Sequence, residues 1–336
     1  MGVGIDIGAK TIKVVELEPR GANFALKASG VVGYTGQAPE FANNEKELGQ
    51  LSAIVKKLLA ESRVSRKNVA ISIPEHEVFT RTVRFPPLTD QEIASAVKWE
   101  AEQYIPIPIA EAILQHQIVD RQETASKPYV SVFLVAVSKE ISARYVKVVQ
   151  DAGAIVSLVE PTMMSLARAL SPKDKIALLV DIGSYSTNMA VVNNQKLMFS
   201  RSIPTAGNAI SRSVGQALNV DANQAEEYKK SYGLEKGRLE GKVRDAMLPV
   251  VGIITDEIKK ALQFYRTEEG GSVPSTIYLT GGTSGLPGMI TELSSSLNIE
   301  VVLGNPFQDV QLSSKEQQSI AAYSTLYSTA IGLARA

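Results

Sequence analysis

The 336-residue sequence contains no cysteine and only two histidines, His76 and His116. Without cysteine the chain forms no disulfides, no thiolate nucleophile and no zinc-thiolate site. With two histidines a histidine-rich metal site is excluded too, so any bound metal must have oxygen ligands. Lysine plus arginine and aspartate plus glutamate each total 35. A net charge near zero argues against nucleic acid as a partner, because that partner requires a basic surface.

Long apolar runs are also missing, since no stretch approaches the roughly 20 apolar residues of a membrane-spanning helix. The opening residues MGVGIDIGAK show no signal-peptide pattern. We therefore expect a cytoplasmic protein that reaches a membrane only through a partner or a surface helix. Apolar residues at 44% and charged residues at 21% are typical of globular proteins, and the length suits two domains.

Strand-like apolar runs alternate with helix-like stretches, which favours an α/β protein. The pattern predicts a hairpin of strands 3–7 and 12–17, then a strand at 24–32, a helix at 45–62 and a buried strand at 69–73. The same order restarts with strands at 176–182, 187–192 and 196–200. An internal duplication with a spacing of about 175 residues is therefore predicted.

A segment at 81–154 lies between the two copies and is not required by the duplication, so we expect it to be an insertion. Within it Thr89 and Glu92 form a capping box that predicts a helix over 90–104, ended by the run Ile105-Pro106-Ile107-Pro108. Trp99 lies away from the apolar stripe of that helix. It either packs on a neighbouring subdomain or lines a groove for a partner.

Each copy contains a strand that ends in an acid and is followed by a glycine turn. The first is Asp6-Ile7-Gly8-Ala9-Lys10-Thr11 and the second is Asp181-Ile182-Gly183-Ser184-Tyr185-Ser186-Thr187. One such hairpin alone is also an ordinary tight turn. Two copies related by a pseudo-twofold would face each other and hold a polyphosphate through backbone N–H groups. Asp6 and Asp181 would then share one magnesium ion, and Lys13 would add a positive charge.

A third glycine turn, Thr280-Gly281-Gly282-Thr283, follows a predicted strand and precedes a helix. It is compatible with any βα loop. After two phosphate hairpins, however, it indicates the nucleoside end of the same site, because glycine permits close backbone approach to a flat ligand.

In this order the motifs resemble the actin, chaperone and sugar-kinase superfamily. The resemblance implies an actin-like, ribonuclease H-like duplicated α/β fold with two halves around a cleft for ATP or ADP and Mg²⁺. Glu160-Pro161-Thr162 is similar to the Glu-Pro-Thr of DnaK-type chaperones, which implies a water-positioning role for Glu160. From the residues alone, Glu160 is equally well an acid stabilised at a helix N-terminus.

The run Ala225-Glu226-Glu227-Tyr228-Lys229 resembles the helix of FtsA and MreB whose glutamate and lysine contact the nucleoside. The resemblance thus implies the following nucleotide-binding residues: Asp6, Gly8, Ala9, Lys10, Thr11, Lys13, Asp181, Gly183, Ser184, Ser186, Thr187, Gly207, Glu226, Lys229, Gly281, Gly282 and Thr283.

Three runs in and before the insertion resemble the PilM family of type IV pilus proteins: Pro74–Arg81, Phe85–Leu88 and Trp99–Pro106. FtsA and PilM carry their extra subdomain at this place. We expect a first half from 1–80 with 155–177 and 320–336, and an inserted subdomain from 81–154. The second half then comprises 178–205 with 272–319, and its outer subdomain is 206–271.

The resemblance implies a cytoplasmic ATP-binding scaffold, held at the inner membrane by partners, that captures the N-terminal tail of PilN and links other inner-membrane pilus proteins. The tail requires an apolar groove, which the junction of the inserted subdomain with the first half can supply. The candidates there are Phe79, Phe85, Trp99 and Tyr104, although each also suits a core. We expect slow or negligible ATP hydrolysis. An FtsA-like filament protein, a sugar or acetate kinase, a GspL-type secretion module and self-association stay open.

Overall fold

A computed structural model describes residues 2–123, 128–173, 175–267 and 272–336. The chain begins with four strands and one helix: β1 (Gly2–Ile7), β2 (Thr11–Arg20), β3 (Asn23–Gly33), α1 (Glu45–Glu61) and β4 (Val69–Ile73). The helix starts where Asn44 accepts a hydrogen bond from the Glu47 amide, and it buries Leu51 and Val55 against the sheet. These elements confirm the predicted opening.

A three-residue 3-10 turn, Glu75–Glu77, then leads into a separate small sheet covered by one helix. Its elements are β5 (Val78–Phe85), α2 (Asp90–Tyr104), β6 (Ala112–Gln122) and β7 (Tyr129–Ser138). The predicted capping box of Thr89 and Glu92 starts α2. Ile93, Val97 and Ala101 of α2 are buried against the strands, so the insertion has its own core.

The chain returns to the first half through α3 (Lys139–Asp151), β8 (Val156–Pro161) and α4 (Thr162–Leu170). Tyr145, Val148 and Val149 of α3 are buried in the same core as α1 and β1. The separate sheet of the insertion spans 78–138, whereas α3 packs in the first-half core, and the expected insertion bounds of 81–154 stay a prediction. The periodicity of α3 does not reveal which sheet it covers, because an amphipathic helix packs on any apolar face.

The second half repeats the strand order and adds a helical layer. Its elements are β9 (Ile176–Ile182), β10 (Thr187–Asn193), β11 (Lys196–Ile203), α5 (Gly207–Leu218), α6 (Ala222–Tyr232), α7 (Lys242–Thr267), β12 (Thr276–Thr280), α8 (Met289–Leu297) and β13 (Glu300–Leu303). One core joins these strands to α5 and α7.

The chain ends with β14 (Val310–Gln311), α9 (Ser314–Ile320) and α10 (Ser328–Ala334). The last helix packs directly on the backbone of β1. A Cβ at Gly4 would overlap the Ala330 carbonyl, and a Cβ at Gly332 would overlap the Ser165 carbonyl of α4. Glycine at these positions therefore lets α10 lie between the first sheet and α4. No helix in the described ranges is long and apolar enough to cross a membrane.

The duplication is visible in the sheet topology. The first sheet has the order β14-β3-β2-β1-β4-β8, and the second has the order β11-β10-β9-β12-β13. In both, a three-stranded antiparallel meander continues into two parallel strands. The inserted sheet has the order β5-β7-β6. Parallel strands end at the same edge, so the predicted phosphate turns after β1 and β9 lie at equivalent edges of the two sheets.

Candidate functional site

The first predicted hairpin closes as a tight turn between β1 and β2. The Gly8 amide donates to the Thr11 carbonyl at 3.0 Å. Asp6 and Lys13 are opposite each other in the ladder, and their side chains form an ion pair at 2.8 Å. Both side chains are largely buried, so each charge compensates the other. Both residues also line one cavity.

The second hairpin repeats this geometry with an amide in place of the lysine. The Gly183 amide donates to the Ser186 carbonyl at 3.0 Å. Asn188, opposite Asp181 in the ladder, donates to its carboxylate at 3.2 Å, and the Ser202 hydroxyl donates to the Asn188 carbonyl oxygen at 2.7 Å. The orientation of the Asp181 carboxylate is therefore set by a chain of hydrogen bonds.

Both hairpins line one cavity of about 140 Å³ between the halves. It brings together twelve residues named from the sequence: Asp6, Gly8, Ala9, Lys10, Thr11, Lys13, Asp181, Gly183, Ser184, Ser186, Gly281 and Gly282. It also contains residues that were not predicted to bind nucleotide: Glu40, Ser72, Pro74, His76, Thr162, Tyr185, Asn188, Thr325, Leu326 and Thr329. Tyr185, Asn188 and Thr162 adjoin or belong to quoted motifs, whereas nothing in the local sequence marks Glu40 or His76 as cleft residues.

The carboxylates of Asp6 and Asp181 both line the cleft. Burial raises the pKa of Asp181 to about 6, and the nearby Asp6 carboxylate adds to this, against the hydrogen bond from Asn188 and the charge of Lys13. A buried carboxylate with a raised pKa is poised to gain a cation. The described residues contain no cluster of three histidine, aspartate or glutamate ligands. Two carboxylates suit magnesium, which commonly takes its remaining ligands from water and phosphate oxygens.

The third glycine turn is built against the second hairpin. Gly281 has a φ of +90°, and a Cβ there would overlap the Asp181 carboxylate and the Ile182 carbonyl. Thr283 binds the same hairpin, because its amide donates to Ile182 and its hydroxyl donates to the Gly183 carbonyl at 2.9 Å. Gly281 and Gly282 line the cleft, whereas Thr283 is buried behind it and supports the turn.

A larger cavity of about 820 Å³ adjoins the cleft and shares Lys10 and Tyr185 with it. Glu226 lines this cavity, and its carboxylate accepts hydrogen bonds from Lys229 at 2.7 Å and from Ser211 at 2.6 Å. Burial raises the pKa of Glu226, but the bonds from Lys229 and Ser211 outweigh it and lower the pKa to about 2. Gly207 begins α5 here, and its carbonyl accepts from Lys229 at 3.2 Å.

Glu160 and Thr187 line neither the cleft nor the larger cavity, and the same is true of three other residues named from the sequence, Gly207, Lys229 and Thr283. Glu160 is 6% exposed, and both of its carboxylate oxygens accept from Arg168, at 2.9 and 2.8 Å. Glu160 is not among the residues that line the cleft, and its role in positioning water stays a prediction. Thr187 is fully buried, and its hydroxyl donates to the Thr205 carbonyl at 2.7 Å.

The four candidate partner-binding aromatics do not share one groove. Phe79 lines a cavity of about 520 Å³ between β5, β11 and α7, and Arg81 beside it stacks over the Tyr104 ring at 3.6 Å. Phe85 packs on the core of the insertion. Trp99 is 66% exposed, so the interpretation that it packs on a neighbouring subdomain is wrong.

A different, apolar groove of about 480 Å³ lies at the junction of the insertion with the first half. Its walls come from the outermost described strands of two sheets, β6 and β8, together with β7 and α4. The apolar lining residues are Ile73, Val78, Ile113, Phe133, Val135, Val137, Leu158, Val159, Pro161 and Met164. Val78 and Pro161 lie in quoted runs, but no motif marked the set as one surface, because strand residues alternate between two faces.

A family sequence model described as "Type IV pilus assembly protein PilM" matches residues 4–335. The chain belongs to the PilM family of type IV pilus assembly proteins. One chain of a solved "PilM-PilN type IV pilus biogenesis complex" is similar with a TM-score of 0.82 and 27% identity, over 99% of this chain and 97% of that one. Its coverage extends through the insertion, which identifies the inserted subdomain as part of the family's architecture.

More distant relatives show how widely the fold is shared. MreB5 of Spiroplasma citri bound to AMPPNP is similar with a TM-score of 0.54 at 14% identity, over 98% of this chain and 93% of that one, which shows an actin-like fold. The cell division protein FtsA of Pseudomonas aeruginosa is 26% identical over 70% of this chain, which spans 63% of that relative's length. FtsA of Escherichia coli K12 is 22% identical, over 98% of this chain and 89% of its own.

Proposed function

We propose that this chain is an ATP-binding scaffold of a type IV pilus assembly machine that captures the N-terminal tail of a PilN-type membrane protein and links it to other inner-membrane components. The observation that carries the proposal is the likeness to a chain of the PilM-PilN complex across nearly its full length. The scaffold would lie in the cytoplasm and reach the inner membrane through its partners.

The residues around the cleft suit a nucleoside triphosphate with magnesium. Backbone amides of the two glycine turns would bind phosphate oxygens from opposite sides, and Gly281 keeps open a space that a side chain would fill. Asp6 and Asp181 would hold the hydrated metal. The larger cavity at Glu226 would take the nucleoside. Bound across both halves, the nucleotide would fix the angle between them.

We propose that this nucleotide is hydrolysed slowly or not at all. The Glu160 carboxylate that the chaperone resemblance suggested for water positioning is neutralised by Arg168 outside the cavity. Hydrolysis requires an oriented water as well as a bound phosphate chain. ATP would then act as a structural ligand, and its occupancy would control whether the halves are held together.

We place the PilN-type tail in the apolar groove between the insertion and the first half. Strands β6 and β8 border this groove, and each is outermost among the described strands of its sheet, so each offers backbone groups to an extended peptide. The apolar side chains of Ile113, Val135 and Leu158 would then take alternate side chains of the tail. The groove would thus offer an added strand both backbone hydrogen-bonding groups and apolar sites for alternate side chains.

Isothermal titration of the protein with a synthetic N-terminal tail of the PilN encoded beside it, with and without magnesium-ATP, tests the scaffold. Ile113→Asp places a charge in the groove at a side chain that is already 38% exposed, so we expect folding to persist and tail binding to be lost. Trp99→Ala, far more exposed and outside the groove, is the matched control and should bind normally.

Loss of binding in Trp99→Ala with normal binding in Ile113→Asp would instead place the tail at the aromatic residues of the insertion. No tail binding in either nucleotide state, with ATP still bound, would contradict the scaffold. Pelleting of the protein with ATP on lipid vesicles would then favour a filament protein like the FtsA relatives.

A further inference from the structure

The 3-10 turn Glu75–Glu77 connects the first sheet to the insertion, and Glu75, His76 and the following Val78 contact three different parts of the molecule. Glu75 is 3% exposed and accepts hydrogen bonds from the Ser200 hydroxyl of the second half at 2.6 Å and from the Met163 amide of α4 at 3.2 Å. Next to it, His76 lines the nucleotide cleft. The turn ends one residue before Val78, which lines the junction groove.

The imidazole of His76 is a polar group in the cleft without a hydrogen bond among the described residues. Its Nε2 atom lies 3.5 Å from the Glu40 carboxylate and 3.7 Å from the Glu77 carboxylate, which is beyond the usual 2.7–3.2 Å of an N–H···O bond. The Phe41 ring stacks on the imidazole, with centroids 6.0 Å apart and planes 10° from parallel. The stacked ring restricts the imidazole plane while leaving its edge free to donate.

The Glu40 carboxylate beside His76 already accepts a hydrogen bond from the protein interior. Its side chain is 3% exposed, and it accepts a hydrogen bond from the hydroxyl of the buried Tyr145. Backbone carbonyls around Glu40 are held in turn by the Arg144 guanidinium, at 3.1–3.4 Å. These bonds hold Glu40 in place. His76 lines the cavity beside it and can direct its N–H toward a ligand there.

The position of His76 indicates which end of a nucleotide it meets. Lys10 and Tyr185 line both the cleft and the larger cavity, so they mark the passage between the two. His76, Ser72 and Thr162 line only the smaller cavity of about 140 Å³. If the nucleoside occupies the larger cavity, the chain of phosphates runs past Lys10 into this smaller space, and its terminal phosphate is the group that comes nearest to His76.

We infer that His76 donates a hydrogen bond to the terminal phosphate of a bound nucleoside triphosphate, and that the turn Glu75–Glu77 thereby connects the nucleotide state to the junction groove. The inference rests on the proposed nucleotide site. A diphosphate lacks the group that His76 would bind, so ATP and ADP differ in their contact with this turn. Because Glu75 anchors the turn to the second half and Val78 begins the inserted strand, a shift of the turn changes the wall of the groove.

Titration calorimetry of magnesium-ATP and magnesium-ADP against the full chain tests the contact. His76→Ala should weaken ATP binding by about tenfold or more, the usual effect of losing a hydrogen bond to a charged group, and leave ADP binding within about twofold. Trp99→Ala changes an exposed side chain outside the cleft, the larger cavity and the junction groove, and should change neither affinity. Equal losses for ATP and ADP, or no loss for ATP, would overturn the inference.

A second titration measures the connection to the groove. In the unmodified protein the affinity for the PilN tail should differ between the ATP-loaded and ADP-loaded states, and in His76→Ala this difference should disappear. A difference that persists in the variant would overturn the proposed transmission. Absence of nucleotide binding in the unmodified protein would count against the nucleotide site itself, which separates that failure from a failure of the role of His76.

Discussion

Asp181 is a cleft residue whose carboxylate has a raised pKa, because it is buried. Its folded-state pKa of about 6 lies above the ordinary value of 3.8, so between these values the folded protein keeps a proton that the unfolded chain has lost. This group therefore lowers the free energy of unfolding as the pH rises from about 4 to about 6, and the loss remains at higher pH.

Asp181→Asn keeps an acceptor for Asn188 and removes the loss of unfolding free energy that ionisation of the buried carboxyl causes. We expect a higher Tm than the unmodified protein at about pH 8 and a much smaller difference at about pH 4, because both side chains are then neutral. Calorimetry at the two pH values measures this, and titration should show weaker magnesium-ATP binding. An equal change of Tm at both pH values would mean that Asp181 is not protonated as its pKa indicates.

The backbone at Gly281 gives a second test at the scale of one residue. With a φ of +90° and a Cβ that would overlap the Asp181 carboxylate, Gly281→Ala must displace the turn from the second hairpin. We expect a loss of about 1–3 kcal/mol in the free energy of unfolding, together with weaker nucleotide binding. In the same turn Gly285→Ala is the control, since no atom lies within 4 Å of a Cβ there. Equal behaviour of the two variants would contradict the packing described.

Among the elements, the seating of α10 on β1 depends on close backbone approach. Gly4→Ala would overlap the Ala330 carbonyl, so α10 would have to move away from the first sheet. We expect a lower Tm and faster hydrogen exchange in α10. Gly49→Ala in α1 meets no atom within 4 Å and should be neutral or stabilising by up to about 1 kcal/mol. Unchanged exchange in the Gly4 variant would show that α10 is not held this way.

The ion pair of Glu160 with Arg168 joins β8 to α4. Glu160→Ala leaves the Arg168 guanidinium with only the Gly332 carbonyl, and removing one partner of a buried pair usually costs about 3–5 kcal/mol. The free energy of unfolding should fall, while the affinity for magnesium-ATP and the hydrolysis rate stay unchanged. The double variant Glu160→Ala, Arg168→Ala should recover part of the stability. A selective loss of hydrolysis would restore Glu160 as a water-positioning residue.

For the whole molecule, a ligand held by both halves should make them unfold together. Magnesium-ATP at about 100 times its Kd should raise the free energy of unfolding by about 2.7 kcal/mol. Thr80 and Ser200 also join the insertion to the second half, with their hydroxyls 2.8 Å apart, so a single transition is expected in calorimetry. Two transitions, of which ATP shifts only one, would contradict a nucleotide site shared between the halves.

The glycine hairpins and the capped helix of the insertion were predictable because each is closed by bonds between residues close in sequence. The Gly8 amide donates a hydrogen bond to the Thr11 carbonyl, and the Gly183 amide donates one to the Ser186 carbonyl. The Glu92 amide donates to the Thr89 hydroxyl. The recurrence of one such hairpin after about 175 residues made the two-halved fold predictable as well. Local chemistry alone therefore determined the glycine turns and the duplication.

Tertiary packing decided the rest of the site. Glu40 and His76 come from connections between elements, and only the arrangement of α1, α3 and β4 brings them beside Asp6 in the cleft. Glu160 lies on an outer strand, and which of its two faces meets the cavity depends on where the second half packs. The junction groove likewise forms only where the inserted sheet lies beside the first sheet. The local sequence pattern shows which residues share a face of a strand or helix. What packs against that face is set by contacts between residues distant in sequence.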